Sequence, residues 1–310
     1  MSNHRLVNAA QYTDVGQIRD HNEDYVICKE PADEGEFTQN GWLYIVADGV
    51  GGADAGEVAS QFASQQTVNN YLRNQSQESW GQRLVDSMQA ANTDLRRMVA
   101  ERNDNSRMAT TMVAVVIDEH KAYFANVGDS RGYLWRNGSF EQVTKDQSLV
   151  AKLVEEGAIT EEEAEHHPRR NVILYSLGSE RSPKIDLFER FLEPNDKILL
   201  CSDGLTRHVT DNELSESLKS DDIEETALML IDLANNRGGQ DNITATILHF
   251  LGNASLQDSQ KNGSVSKDTM VGKTTVPAAA KPTKSLWRLT LLLTVLQTFL
   301  IVFLWAVLFA

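Results

Sequence analysis

The stretch Trp42-Leu43-Tyr44-Ile45-Val46-Ala47-Asp48-Gly49-Val50-Gly51-Gly52 carries the pattern on which the fold depends. Six apolar residues in a row, several of them β-branched or aromatic, predict a buried strand. The strand ends in an aspartate that is followed by a glycine-rich turn. Because a carboxylate at the end of a buried strand is costly to desolvate, something must compensate its charge.

The same combination of acidic residues and strand ends recurs along the chain. It is found in residues 19–24, 127–131, 201–205 and 238–242. A single Asp-Gly pair is most often only a turn, but five such segments favour a shared cluster of carboxylates. A divalent cation is the natural partner of such a cluster. Without a group of Cys and His ligands, hard oxygen donors favour Mg²⁺ or Mn²⁺ over zinc.

The remaining periodicity indicates the fold class. Strand-like runs cover residues 25–28, 42–47, 112–117, 122–127, 131–136, 197–201 and 243–250, and helical patterns cover 55–74, 79–102, 146–157, 211–219 and 222–236. Strands that come in clusters, with long helices between the clusters, predict an α+β fold with packed sheets.

Composition and charge exclude several classes of protein and of function. Of 310 residues, 41% are hydrophobic and 24% are charged, which excludes a wholly disordered chain and a polytopic membrane protein. The net charge is −15, and residues 1–251 alone carry −19, from 23 basic and 42 acidic residues. A body this acidic argues against nucleic acid as a partner.

The C-terminal part of the chain predicts a membrane anchor. Residues 289–310 contain no charged side chain, and a helix of 22 residues spans about 33 Å, enough for a bilayer core. Lys281, Lys284 and Arg288 precede this run, so the N-terminal side is expected in the cytoplasm. We therefore expect a catalytic domain over 1–251, a flexible linker over 252–285 and a transmembrane tail anchor over 286–310.

Cysteine usage and the N-terminus agree with a cytoplasmic body. Cys28 and Cys201 are expected as two buried, reduced thiols. The first ten residues contain no apolar core of signal-peptide length.

In order and spacing, these segments resemble the bacterial branch of the metal-dependent type 2C (PPM) family of protein serine/threonine phosphatases. The resemblance covers about residues 10–250. Its motifs are G-x-I-R-x-x-N-E-D at 16–24, A-D-G-V-G-G at 47–52, N-V-G-D-S-R at 126–131, H-P-x-R-N at 167–171, C-S-D-G-L-T at 201–206 and D-N-I-T at 241–244. The family's fold is a central β-sandwich of two antiparallel sheets flanked by α-helical layers, which the resemblance implies for this chain.

The resemblance also implies roles for individual residues. Asp48 matches a carboxylate that bridges two Mn²⁺ or Mg²⁺ ions, and the Gly49 carbonyl matches a ligand of one of them. Asp203 and Asp241 match further ligands, and Asp24 matches the group that holds the second ion largely through water. Asp129 matches a ligand of a weaker third ion, Arg19 matches the arginine that binds the substrate phosphate, and Glu23 and Asn242 lie beside these ligands.

The implied reaction is hydrolysis of phosphoserine and phosphothreonine by a hydroxide that bridges the two metal ions. Animal members of the family have a histidine, proposed as general acid, where this chain has Val50, which cannot donate a proton. The resemblance places the family's variable flap at about 149–190. His166 and His167 lie within it, and we favour a helix end over a metal or substrate contact for them.

The leading hypothesis is an active phosphatase that acts on phosphorylated proteins at the cytoplasmic face of a bacterial inner membrane, opposing a Hanks-type Ser/Thr kinase. An alternative is a pseudophosphatase that only binds phosphoproteins as a scaffold, although such a chain is expected to have lost Asp48, Asp203 or Asp241. A nuclease or phosphodiesterase is disfavoured by the charge of −19, which repels a polyanionic substrate.

Overall fold

In the computed structural model, residues 6–51, 55–74, 79–102 and 108–252 are described. Their strands are β1 (Val7–Asp14), β2 (Asp24–Lys29), β3 (Trp42–Val50), β4 (Ala109–Thr110), β5 (Met112–Ile117), β6 (Lys121–Val127), β7 (Arg131–Arg136), β8 (Ser139–Gln142), β9 (Asp186–Phe191), β10 (Lys197–Cys201) and β11 (Ile243–Phe250). Their helices are α1 (Glu34–Asn40), α2 (Ala55–Arg73), α3 (Trp80–Arg102), α4 (Leu149–Glu155), α5 (Glu161–Glu165), α6 (Asp203–Thr206), α7 (Asp211–Ser217) and α8 (Ile223–Asn236).

The strands form two antiparallel sheets. One has the order β1-β11-β10-β7-β8, and the other has the order β2-β3-β5-β6-β9, with β4 paired to the end of β3. Alternation along β3 shows how the layers pack. Tyr44 and Val46 belong to the core that both sheets share, whereas Leu43 and Ile45 pack with residues of α2 and α3. A third core joins the other sheet to α7 and α8. The prediction of a sandwich between helical layers is therefore confirmed.

The predicted strands and long helices are all found, with ends that shift by a few residues. The predictions missed β1, β8 and β9, which lie at sheet edges, and the two-residue strand β4. These strands lack the continuous apolar runs of the central strands. β9, for example, contains three charged residues among six and is only partly covered.

One prediction of burial is wrong. Cys201 is buried within β10, as expected, but Cys28 is exposed. The reason is its place on β2, the edge strand of its sheet. Within the described ranges, no helix combines the length and the apolar character needed to cross a membrane. The predicted anchor and nearly all of the predicted linker lie outside those ranges.

Candidate metal centre

Five aspartates from the predicted acidic segments meet at one end of the sandwich. Asp24 opens β2 and Asp48 lies near the end of β3, and the two residues are directly paired across the ladder. Asp129 lies in the turn between β6 and β7, and Asp203 begins α6 directly after β10. Asp241 lies in the loop that leads into β11. The fold thus gathers residues from distant parts of the sequence.

The cluster is strongly repulsive. Burial, followed by the charges of the other four aspartates, raises the pKa of Asp48 well above its ordinary value. Burial also raises the pKa of Asp24 to about 7 and that of Asp129 to about 8. The pKa of Asp203 is raised for the same reason. Only protons or positive charges can relieve such a cluster.

Three carboxylate oxygens in this cluster show that it fits a cation. Asp24 Oδ1, Asp129 Oδ1 and Asp203 Oδ1 are buried, and none has a hydrogen-bond partner among the described residues. Buried polar atoms are normally satisfied, so each such atom needs an explanation. Carboxylate oxygens are the ligands that Mg²⁺ and Mn²⁺ prefer. In the described part of the chain, no three acidic, His or Cys side chains are grouped closely enough to hold a metal ion by themselves. A cation bound to these aspartates would therefore need further oxygen ligands, such as carbonyl groups or water.

Two hydroxyl groups hold the second oxygen of Asp24. Ser202 Oγ and Thr244 Oγ1 each donate a hydrogen bond of 2.7 Å to Asp24 Oδ2. Thr244 Oγ1 also lies 2.8 Å from Thr13 Oγ1. These contacts fix the carboxylate so that its other oxygen, Oδ1, keeps a defined position. Ser202 and Thr244 flank metal-ligand candidates in C-S-D-G-L-T and D-N-I-T, but sequence reasoning gave them no role.

A pair of threonines fixes the backbone of Asp48. Thr110 Oγ1 donates a 2.8 Å hydrogen bond to the Asp48 carbonyl, and Thr111 N donates one of 2.9 Å to the same oxygen. Thr111 Oγ1 also accepts from Asp48 N at 3.3 Å and lies 2.8 Å from Ser130 Oγ. Ser130 follows Asp129, so a short network of hydrogen bonds connects the backbone of Asp48 to the turn that carries Asp129.

Asn242 joins the loop before β11 to the loop between β1 and β2. Its Oδ1 accepts a 2.8 Å hydrogen bond from Glu23 N, and its Nδ2 donates to the carbonyls of Val15 and His21 at 2.9 Å each. The Glu23 side chain is buried, and that burial raises its pKa. Asn242 follows the candidate ligand Asp241 in the sequence and Glu23 precedes Asp24, so the hydrogen bond between Asn242 and Glu23 joins the two segments that carry these ligands.

Two glycines that follow candidate ligands allow close packing of backbone against backbone. A Cβ atom on Gly49 would lie 2.3 Å from the Gly56 carbonyl oxygen, and one on Gly204 would lie 2.0 Å from the Asn242 carbonyl oxygen. Only glycine fits at either position. Each of the two Asp-Gly pairs, at Asp48 and at Asp203, is thus required by packing at the site.

Two arginines reach the cluster. Arg19 NH2 lies 2.9 Å from Asp241 Oδ1 and 3.0 Å from Asp241 Oδ2, with 43% of its side chain exposed. Arg207 donates from NH2 to Asp203 Oδ2, and its NH1 lies 3.5 Å from Asp241 Oδ2. Arg19 was predicted here, and Arg207 was not. The only sequence feature that points to a role for Arg207 is its position four residues after Asp203.

The flap contributes no charged ligand to the cluster in the contacts described. Its base is tied to the sheets, since Leu177 pairs with Thr110. His166 is the last residue bounding α5, and His167 Nδ1 accepts from Arg169 N at 3.1 Å. These contacts agree with a helix end, as favoured from the sequence. Val50, two residues after Asp48, is 37% exposed.

Comparisons with known proteins identify the family. The model of the family "Protein phosphatase 2C" matches residues 28–245. A serine/threonine phosphatase, stp, of Listeria monocytogenes is 39% identical over 243 residues, covering 76% of this chain and 93% of the relative.

Solved structures of similar proteins support the same family. The crystal structure of the Mycobacterium tuberculosis serine/threonine phosphatase PstP/Ppp superposes with a TM-score of 0.71 at 34% identity, covering 79% of this chain and 98% of that one. A further structure, the PstP catalytic domain in complex with two manganese ions, gives a TM-score of 0.67 at 33% identity over 78% of this chain and 97% of that one. Sequence, fold and the gathered carboxylates together show that the chain belongs to the protein phosphatase 2C family of serine/threonine phosphatases.

Proposed function

We propose that this phosphatase removes phosphate from phosphoserine and phosphothreonine of proteins at the cytoplasmic face of a bacterial inner membrane, opposing a Hanks-type Ser/Thr kinase. The observation that carries the catalytic part is a set of three buried carboxylate oxygens in the aspartate cluster, none of which has a hydrogen-bond partner within the described ranges. The relatives named above, called serine/threonine phosphatases, support the substrate class.

The residues of the cluster divide into candidate ligands and their supports. Asp48, Asp203, Asp241 and the Gly49 carbonyl would hold one or both of two Mn²⁺ or Mg²⁺ ions, with Asp24 on the second. Asp129 would bind a weaker third ion together with Asp203. When bound, such a pair of ions lowers the pKa of a shared water and so supplies a nucleophile at neutral pH.

Arg19 is suited to hold the substrate. Its guanidinium lies at the rim of the cluster, half-exposed and in contact with a candidate metal ligand. There it can donate two charge-assisted hydrogen bonds to phosphoryl oxygens and stabilise the charge that develops on them. Val50 offers no proton to the leaving oxygen, so water or another donor would have to supply it.

The membrane part of the proposal rests on the sequence of the tail. An uncharged run over 289–310 follows a basic flank, and a linker of about 34 residues precedes it. A tether of this kind confines the enzyme near membrane-bound phosphoproteins and raises its effective concentration there.

A scaffold that only binds phosphoproteins is the competing function. The full chain, purified in mild detergent, should release phosphate from a phosphothreonine peptide with Mn²⁺ or Mg²⁺ but not with EDTA. Asp48→Asn should abolish release, whereas Asp232→Asn, which changes an exposed carboxylate on α8, should not. A folded wild-type chain that binds the phosphopeptide without any turnover would favour the scaffold. Normal turnover by Asp48→Asn would refute the assigned cluster.

A further inference from the structure

Arg207 is the positive group that spans two candidate metal ligands. Its NH2 donates to Asp203 Oδ2, and its NH1 lies 3.5 Å from Asp241 Oδ2. Its charge also acts on Asp129. Arg19 contacts Asp241 as well, but 43% of its side chain is exposed, against 27% for Arg207. Arg207 is therefore the more deeply inserted of the two guanidinium groups.

The local fold fixes this contact. Asp203 opens the short helix α6, and Arg207 bounds its end, where Arg207 N donates a 2.9 Å hydrogen bond to the Asp203 carbonyl. Residues four apart on a helical turn share a face. The guanidinium is thereby directed to the carboxylate of Asp203 and, beyond it, to that of Asp241.

We propose that Arg207 is a built-in competitor of the divalent cations, which sets how much Mn²⁺ or Mg²⁺ the enzyme needs. The inference rests on the proposed roles of Asp203 and Asp241 as metal ligands. It goes beyond them by assigning an affinity-setting role to a residue outside the ligand set.

The competition follows from shared oxygens. Asp203 presents one oxygen to Arg207, while the other, Oδ1, is buried and has no partner among the described residues. A cation drawn to Oδ1 brings its positive charge against the guanidinium. If it also takes Asp241 Oδ2, it competes for an oxygen that the guanidinium of Arg207 approaches at 3.5 Å. Binding of the cation and the contact with Arg207 therefore oppose each other, and the coupling is reciprocal.

A competitor makes a sharper prediction than a structural support. The contact with Arg207 stabilises the chain that has no cation bound, so its contribution to the binding constant is the same for every cation. Removing Arg207 should strengthen Mn²⁺ and Mg²⁺ binding by the same factor. A residue that shaped the ligand geometry would act differently on two ions of different size and coordination preference.

The test is calorimetric titration of the full chain in mild detergent with Mn²⁺ and, separately, with Mg²⁺. Arg207→Ala should lower both Kd values by roughly tenfold, the factor expected for one lost hydrogen bond between charged groups. Arg207→Lys keeps the charge but loses the planar guanidinium group. Its Kd values should lie between those of wild type and those of Arg207→Ala. The matched control is Arg237→Ala, because Arg237 donates a hydrogen bond to the carbonyl of His208, the residue after Arg207, but pairs with Glu213 instead of a candidate ligand. Its Kd values should change less than twofold.

Thermal melts provide a second readout. In EDTA, Arg207→Ala should melt about 2–4 °C below wild type, and the difference should shrink when Mn²⁺ saturates both chains. Equal Kd values for wild type and Arg207→Ala, weaker binding in the variant, or unequal factors for the two ions would each overturn the inference. A wild-type chain that binds neither ion would overturn the proposed metal centre together with it.

Discussion

Asp24 and Asp48 are directly opposed on neighbouring antiparallel strands, with both carboxylates directed to the same cluster. Like charges at opposed positions of a ladder destabilise a sheet, and burial adds to that cost. The chain keeps this arrangement where the edge strand β2 begins and its neighbour β3 ends. The pair is therefore a place where stability has been given up for a charged site.

The first prediction follows from this pair. In EDTA, Asp48→Asn should raise the melting temperature of the chain by about 2–4 °C, because it removes one of two opposed carboxyl groups and keeps the side-chain shape. Differential scanning calorimetry measures the change. Asp232→Asn, at an exposed position, is the control and should leave the melting temperature unchanged. A lower melting temperature for Asp48→Asn would mean that the carboxylates do not repel one another.

The second prediction concerns pH. The pKa of Asp24 rises from its ordinary 3.8 to about 7 and that of Asp129 to about 8. The folded chain thus binds protons more tightly than the unfolded chain, so its stability must fall as pH rises through these values. In EDTA, the melting temperature should fall between about pH 4 and pH 8.

In EDTA, the melting temperature should fall less steeply with pH in Asp24→Asn, because this variant lacks one of the titrating groups. In Mn²⁺ the trend should reverse over the upper part of this range, because the cation competes with protons for the same oxygens. A melting temperature that rises with pH in EDTA, equally in both chains, would contradict the raised pKa values.

The third prediction concerns a hydroxyl that holds Asp24. Thr244→Val removes the 2.7 Å hydrogen bond to Asp24 Oδ2, and it should weaken Mn²⁺ binding by about tenfold, at the low end for groups that orient ligand carboxylates. Thr246→Val is the matched control on the same face of β11. Thr246 Oγ1 is buried and has no hydrogen-bond partner among the described residues, so its loss should be neutral or stabilising. Equal effects of the two variants on the Kd for Mn²⁺ would remove Thr244 from the site.

These residues also show how much of the candidate site can be predicted from the sequence. Asp48 and Asp203 could be predicted because each follows an apolar strand and precedes a glycine, a local pattern with a physical cause. Thr244 and Arg207 could not be given a role, because their meaning depends on which distant residue each one meets. For Thr244 that residue is Asp24, on another sheet. The edge strands were missed for a related reason, since their neighbours, more than their own apolar content, hold them in place.

The fourth prediction concerns the tail. The full chain should float with lipid vesicles, and a chain that lacks residues 286–310 should stay in the soluble fraction. Both should hydrolyse a phosphothreonine peptide at similar kcat, because no candidate ligand lies beyond residue 241. A full-length chain that is soluble without detergent would refute the anchor, and a truncated chain that stays with the vesicles would place the membrane contact elsewhere.

The fifth prediction separates substrate binding from metal binding at Arg19. Arg19→Ala should raise KM for the phosphopeptide by about tenfold, the factor expected for one hydrogen bond between charged groups at a half-exposed side chain. The inhibition constant of inorganic phosphate should rise by a similar factor, because the same oxygens are held in substrate and product. Arg97→Ala removes an exposed arginine that pairs with Asp94, and it should change neither quantity. Arg19 also contacts Asp241, so the Kd for Mn²⁺ must be measured in the same variant. A higher KM with unchanged phosphate inhibition would place Arg19 on the peptide instead of the phosphoryl group, and an unchanged KM would remove it from substrate binding altogether.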